Sequence, residues 1–182
     1  MTSTSPHPQR MARVRRAMED QGIDVLLLSV GADLPWLIGY EAMPLERLTM
    51  LVVPREADAT LVVPLLEAPR VREEPDVFRI ATWTETDDPV ELVAALAGPV
   101  AVAAVGNRTW SQFLVELLRR MPGTEFRNAS EITGPLRAVK DDAELAALRR
   151  AASAADRVAE QLQRGEIPLI GRTEAEVSAD LG

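Results

Sequence analysis

Hydrophobic positions along this chain alternate between stripes at helical spacing and short unbroken apolar runs. Met11, Val14 and Met18 share one helix face, Arg13, Arg15 and Arg16 fall on others, and Gly22 is a natural stop. Val25-Leu-Leu-Leu-Ser29 and Pro99-Val-Ala-Val-Ala-Ala-Val105, the latter closed by Gly106, read as strands covered on both faces. Leu48–Val53 and Ala59–Val63, joined by the polar Pro54-Arg-Glu-Ala-Asp58, read as an antiparallel hairpin. Phe78–Trp83 alternates more regularly, as a strand with one wetter face does. Between these runs, Asp33–Tyr40 predicts a short helix or turn with Asp33 as cap and Pro35 in its first turn.

Two longer helices follow. Pro89–Ala97 is preceded by Asp88, with proline at the first helical position. Thr109-Trp-Ser-Gln112 has the form of a capping box. It opens a helix with an apolar stripe of Trp110, Phe113, Leu114, Leu117, Leu118 and Met121, ended by Pro122-Gly123. Glu125–Asn128 fits a last strand, and Ser130–Ala138 a connecting segment interrupted by Gly134-Pro135. Strands alternating with helices, plus one hairpin, predict an α/β fold, a mixed β-sheet flanked by helices on both faces, followed by a C-terminal helical segment. The expected boundaries are a flexible polar tail over 1–9, a domain over 10–133, and a linker with further helices over 134–182. In that last part Asp141 and Glu144 form a capping box. Leu145, Leu148, Ala152, Ala155, Ala159 and Leu162 line one narrow face, Gly165 and Pro168 end the helix, and Thr173–Glu176 is a second box.

Composition narrows the chemistry. The 182 residues are 47% hydrophobic and 26% charged, ordinary for a globular protein. A net charge of −8 argues against nucleic-acid binding, which needs a basic surface to meet phosphates. Without cysteine there is no disulfide, thiolate nucleophile or cysteine metal site. No signal-peptide core or membrane-length apolar run occurs, so a cytoplasmic location and no membrane contact are expected. The single histidine, His7, falls in the expected tail and reads as an ordinary solvated residue, which leaves no Ser–His pair. The adjacent acids Glu73-Glu74, Asp87-Asp88 and Asp141-Asp142 splay by about 100° on a helix, so each pair is poorly placed to hold one ion. No Gly-rich phosphate loop or Gly-x-Ser-x-Gly elbow occurs.

Two groups of residues carry candidate function. Trp36, Tyr40, Glu46 and Arg47 bracket a turn-rich loop between strands, and aromatics beside a charged pair suit a peptide- or partner-facing lip. The alternative is that Trp36 and Tyr40 fill the core. Arg137, Lys140, Glu144 and Arg149 mark a junction leading into the long helix; Arg150 adds to its basic character, which equally fits a solvated face.

Three segments resemble the prolidase/Xaa-Pro aminopeptidase/creatinase family. Asp33-Leu-Pro-Trp-Leu-Ile-Gly-Tyr40 is similar to its Asn/Asp-x-x-Tyr-Leu-Thr-Gly-Phe/Tyr segment, with Trp36 for tyrosine and Ile38 for threonine. Glu46-Arg-Leu-Thr-Met-Leu-Val-Val-Pro54 is similar to the strand entry that follows it. Arg137-Ala-Val-Lys-Asp-Asp-Ala-Glu-Leu-Ala-Ala-Leu-Arg149 resembles the junction Arg-x-x-Lys-x-x-x-Glu-Ile/Leu-x-x-Leu-Arg, the most specific of the three. The resemblance implies a creatinase-type N-terminal domain ahead of a pita-bread catalytic domain. It also implies two divalent ions (Mn, Co or Zn) held by two Asp, one His and two Glu of that second domain, and hydrolysis of proline-containing peptides. A homo-oligomer, with a dimer foremost, is implied too.

None of those ligands maps onto this sequence. The expectation is therefore the oligomerisation and substrate-gating part of a metal-dependent Xaa-Pro peptidase, cut off early in its catalytic domain and inactive alone. A stand-alone interaction domain, or a fragment of a creatinase-like amidinohydrolase, are the alternatives.

Overall fold

The computed structural model describes residues 5–181, in two compact units that divide after Ala138. The first unit is built on a six-stranded sheet: β1 (Val25–Leu28), β2 (Met50–Pro54), β3 (Ala59–Pro64), β4 (Phe78–Trp83), β5 (Val102–Val105) and β6 (Glu125–Asn128). Their order across the sheet is β4-β3-β2-β1-β5-β6. β1, β2 and β3 pair antiparallel, whereas β3–β4, β1–β5 and β5–β6 are parallel.

The unbroken apolar runs have a direct cause. Successive strand residues point to opposite faces, and here both faces are covered. Leu26 and Leu28 of β1 join Leu51, Val53, Leu61 and Val63 in one core, with Met11, Val14 and Met18 of α1 (His7–Gln21) and Leu34 and Leu37 of α2 (Asp33–Ile38). Val25 and Leu27 enter the other core, with Met50, Val52, Val90 and Val93 of α3 (Pro89–Ala97) and Leu117 of α4 (Ser111–Arg120). β4 lies at one edge, with Arg79 and Thr82 exposed, and β6 at the other edge buries none of its residues. On the outer side of β4 the Ile80 N–H donates to Glu73 Oε1 at 2.9 Å.

Caps explain several helix ends. Asp88 accepts from the Val90 and Glu91 N–H groups, both at 3.0 Å, as its place before Pro89 predicts. Gly39 ends α2 at φ +68°, a left-handed position that favours glycine, and a Cβ there would lie 2.9 Å from His7 Cε1, so the imidazole would have to shift.

The structure corrects five readings. α1 takes in His7, Pro8 and Gln9, which polarity alone assigns to a tail; residues 1–4 lie outside the described residues. His7 is not solvated: its side chain is 13% exposed and its Nδ1 lies 2.9 Å from Glu74 Oε1, a partner 67 positions away. Asp33 does not cap α2; Ala32 holds that position, and Asp33 instead accepts from Arg137 at 3.2 Å. The Thr109 capping box does not form. Trp110 is the N-cap of α4 without a side-chain bond, and the buried Thr109 hydroxyl has no partner among the described residues. Finally, Ser130–Ala138 is one helix, α5, despite Pro135 inside it, because Ile132 and Thr133 pack it against the first core.

Along α4 the predicted stripe is only partly buried: Leu117 and Met121 are inside, while Trp110 and Leu118 are 40% and 49% exposed.

The second unit contains α6 (Asp142–Gln163) and α7 (Glu174–Leu181). At α6 the predicted box closes: the Glu144 N–H donates to Asp141 Oδ1 and the Asp141 N–H to Glu144 Oε2, both at 2.9 Å. At α7 the Thr173 N–H donates to Glu176 Oε2 at 2.8 Å and the Glu176 N–H to Thr173 Oγ1 at 3.3 Å. No residue of α6 is buried.

Candidate functional site

The strand order places one crevice. From β1 the chain moves outward through β2, β3 and β4 on one side, whereas β5 leads to β6 on the other. The helices that follow β1 and β5, α2 and α4, lie in opposite cores. The loops after β1 and β5 therefore diverge, the condition that opens a cleft at the carboxyl ends of parallel strands. A cleft of about 870 Å³ lies there, lined by Gly31 and Asp33 after β1, Asn107, Arg108 and Trp110 after β5, and Glu41.

Its walls are held by specific contacts. Ser29, 6% exposed, donates through Oγ to the Thr49 carbonyl at 2.9 Å, joining the end of β1 to the approach to β2. Gly31 has φ +131°, and a Cβ there would lie 3.1 Å from Arg108 Cδ. That glycine lets the arginine stem lie across the loop. At the rim Arg137 pairs with Asp33.

The proposed lip separates into two parts. Trp36 and Tyr40 are buried, each 7% exposed, and do not present a surface. The Arg10 guanidinium lies 5.4 Å from the Trp36 ring centre, a cation–π contact, and donates to the Trp36 carbonyl at 2.8 Å. The Tyr40 hydroxyl donates to Glu67, itself 8% exposed, at 3.2 Å. Burial raises the Tyr40 pKa first, the Glu67 charge and hydrogen bond add to it, and Arg70 opposes them. Glu46 is exposed, and Arg47 pairs with Glu85 at 2.7 Å. Of the junction residues, Arg137 belongs to the first unit, Lys140 and Arg149 are exposed in the second, and Glu144 completes the α6 cap. Residue patterning alone did not reveal the crevice or Arg108, because both depend on β5 sitting beside β1.

Among the described residues no group of three or more His, Asp or Glu side chains could hold a metal ion. Nor is any described helix long and apolar enough to cross a membrane.

Solved structures share this architecture. Dipeptidase PepE from Mycobacterium ulcerans superposes with a TM-score of 0.79 at 33% identity, over 96% of this chain and 47% of that one. Recombinant prolidase from Thermococcus sibiricus shares the fold at 19% identity, with a TM-score of 0.81, over 98% of this chain and 49% of its own. These likenesses define the class, an α/β domain of the prolidase type. The profile of the creatinase/prolidase N-terminal domain matches residues 10–139, and the chain belongs to that family. The probable dipeptidase PepE of Mycobacterium tuberculosis is 35% identical over 96% of this chain. The chain spans about half the length of this curated relative, 47%.

Proposed function

We propose that this chain is the amino-terminal, assembly and substrate-gating part of a metal-dependent Xaa-Pro dipeptidase. The observation that carries the reading is 35% identity over 96% of the chain to a probable dipeptidase. The described residues do not fit the two divalent ions such a peptidase uses, since no donor cluster forms. The ions, whether Mn, Co or Zn, belong to sequence outside this chain, and no catalytic step is assigned to the residues present.

Gating falls to the exposed loop 41–47, which carries Glu46 and Arg47, with buried Trp36 and Tyr40 as its footing. Tyr40–Glu67 and the contact of Arg70 with Met43 Sδ at 3.6 Å tie this loop to residues 65–70. Together the two loops expose Met43, Leu45, Leu65 and Leu66, the last 74% exposed. Apolar side chains grouped at a surface support an assembly role in a homo-oligomer, a dimer foremost.

The test is turnover of an Xaa-Pro dipeptide with Mn. The chain alone should match a metal-only blank, and the protein extended through its following coding sequence should hydrolyse the peptide. Turnover by the chain alone, or none by the extended protein, would overturn the reading. For assembly, Leu66→Glu should reduce the sedimenting mass of the extended protein, and an unchanged mass would remove these loops from the interface.

A further inference from the structure

We infer that the crevice between the loops after β1 and β5 binds a small molecule joining one anionic group to a flat ring. The inference is independent of the peptidase reading.

Its first support is position. The crevice lies where the chain turns to opposite sides of the sheet, at the carboxyl ends of two parallel strands, the place where open α/β sheets hold ligands. Its volume of about 870 Å³ lies within the range of small-molecule pockets.

Charge gives the second support. Arg108 is exposed at the crevice, and among the described residues no carboxylate pairs with it, in a chain of net charge −8. The other lining cation, Arg137, is bonded to Asp33, so those two charges offset each other. With Glu41 also in the lining its formal charges sum to zero, so the preference for an anion is local to Arg108, and a second negative charge on the ligand is disfavoured. A guanidinium with Asn107 beside it is a natural receptor for a carboxylate or phosphate. Trp110 stands at the start of α4, where the helix dipole is positive and no side chain caps the first turn, and this adds to the preference.

The third support is Trp110 itself. Trp36 and Trp83 are each 7% exposed, whereas Trp110 is 40% exposed and forms part of the crevice wall. A part-exposed indole in the same crevice wall as an arginine suits a planar group, which packs on the one while its anion meets the other. The Arg108 stem lies beside Gly31, in space that a Cβ at that position would crowd.

The test titrates the full chain with benzoate, phenyl phosphate, inorganic phosphate and benzyl alcohol, reading tryptophan emission and heat. Benzoate or phenyl phosphate should saturate, and whichever binds tighter names the anionic group. Arg108→Ala should weaken that binding about tenfold, the worth of one charged hydrogen bond. It should leave the thermal midpoint unchanged, since no partner is lost, which separates binding from folding. Trp110→Phe should abolish the emission change while the heat signal persists. The inference is overturned if neither ring anion saturates, or if Arg108→Ala binds them unchanged. It also fails if inorganic phosphate or benzyl alcohol binds as tightly as the ring anions.

Discussion

Replacing Tyr40 by phenylalanine removes one oxygen from a place where a carboxylate depends on it. Glu67 is 8% exposed and accepts the Tyr40 hydroxyl at 3.2 Å. A hydrogen bond to a charged group contributes about 1.5–3 kcal/mol net. At 3.2 Å this one is longer than the roughly 2.5–2.7 Å typical of O–H···O⁻ contacts, so the lower part of that range applies. Tyr40→Phe should therefore cost about 1.5–2 kcal/mol, or about 3–8 °C in thermal midpoint at neutral pH.

The same pair predicts an alkaline signature. The folded pKa of Tyr40 is raised by burial, then by the Glu67 charge and hydrogen bond. Between the unfolded and folded values the folded protein keeps a proton that the unfolded chain has released. The stability this confers is fully present below about pH 10 and is lost as pH rises through the folded pKa. Tyr40 is the chain's one tyrosine, so near-ultraviolet absorbance of tyrosinate reads this group alone. Glu67→Gln should bring its titration back toward the ordinary value, and Tyr40→Phe should remove its share of the alkaline loss. A native-state titration at or below the ordinary value, or a Tyr40→Phe cost under about 0.5 kcal/mol, would refute the reasoning.

Asp88→Ala should cost about 1 kcal/mol through loss of the α3 cap. The Asp88 pKa is lowered by the Glu91 N–H foremost, then by Arg120, so this stability is present above the unfolded value and is lost as pH falls through the folded one. Thermal melts of wild type and variant should converge in acid. Gly31→Ala should cost about 1–3 kcal/mol from the left-handed backbone alone. Adding Arg108→Ala should recover only the part due to the 3.1 Å contact, and a denaturant double-mutant cycle measures that split. Asp141→Ala should lower helical circular dichroism through fraying of α6, because both hydrogen bonds of its cap depend on one another.

The cores were legible because burial on both faces leaves an uninterrupted mark: Val25–Ser29 and Pro99–Val105 read directly as strands covered on both sides. Asp88 and Asp141 were legible as caps because their partners lie within three residues. Where sequence misled, the deciding partner was distant or tertiary. His7 meets Glu74 only once α1 is docked, and Ile132 draws α5 into a helix through Pro135 against its local preference. Thr109 carries the letters of a cap, yet the helix opens one residue later at Trp110. Arg137, Lys140, Glu144 and Arg149 carry a pattern that resembles a domain junction, whereas the burial of Trp36 and Tyr40 required the fold.

Glu73 has an effect on how copies of this molecule meet. A bare outer strand is a template onto which a neighbour can stack backbone to backbone, the first step toward fibrils. Along β4 the Ile80 donor is already engaged by the Glu73 carboxylate, so an arriving chain must first evict a charged group. Pairing of a second strand at this rim therefore carries the cost of displacing a carboxylate seven positions upstream of the donor it occupies.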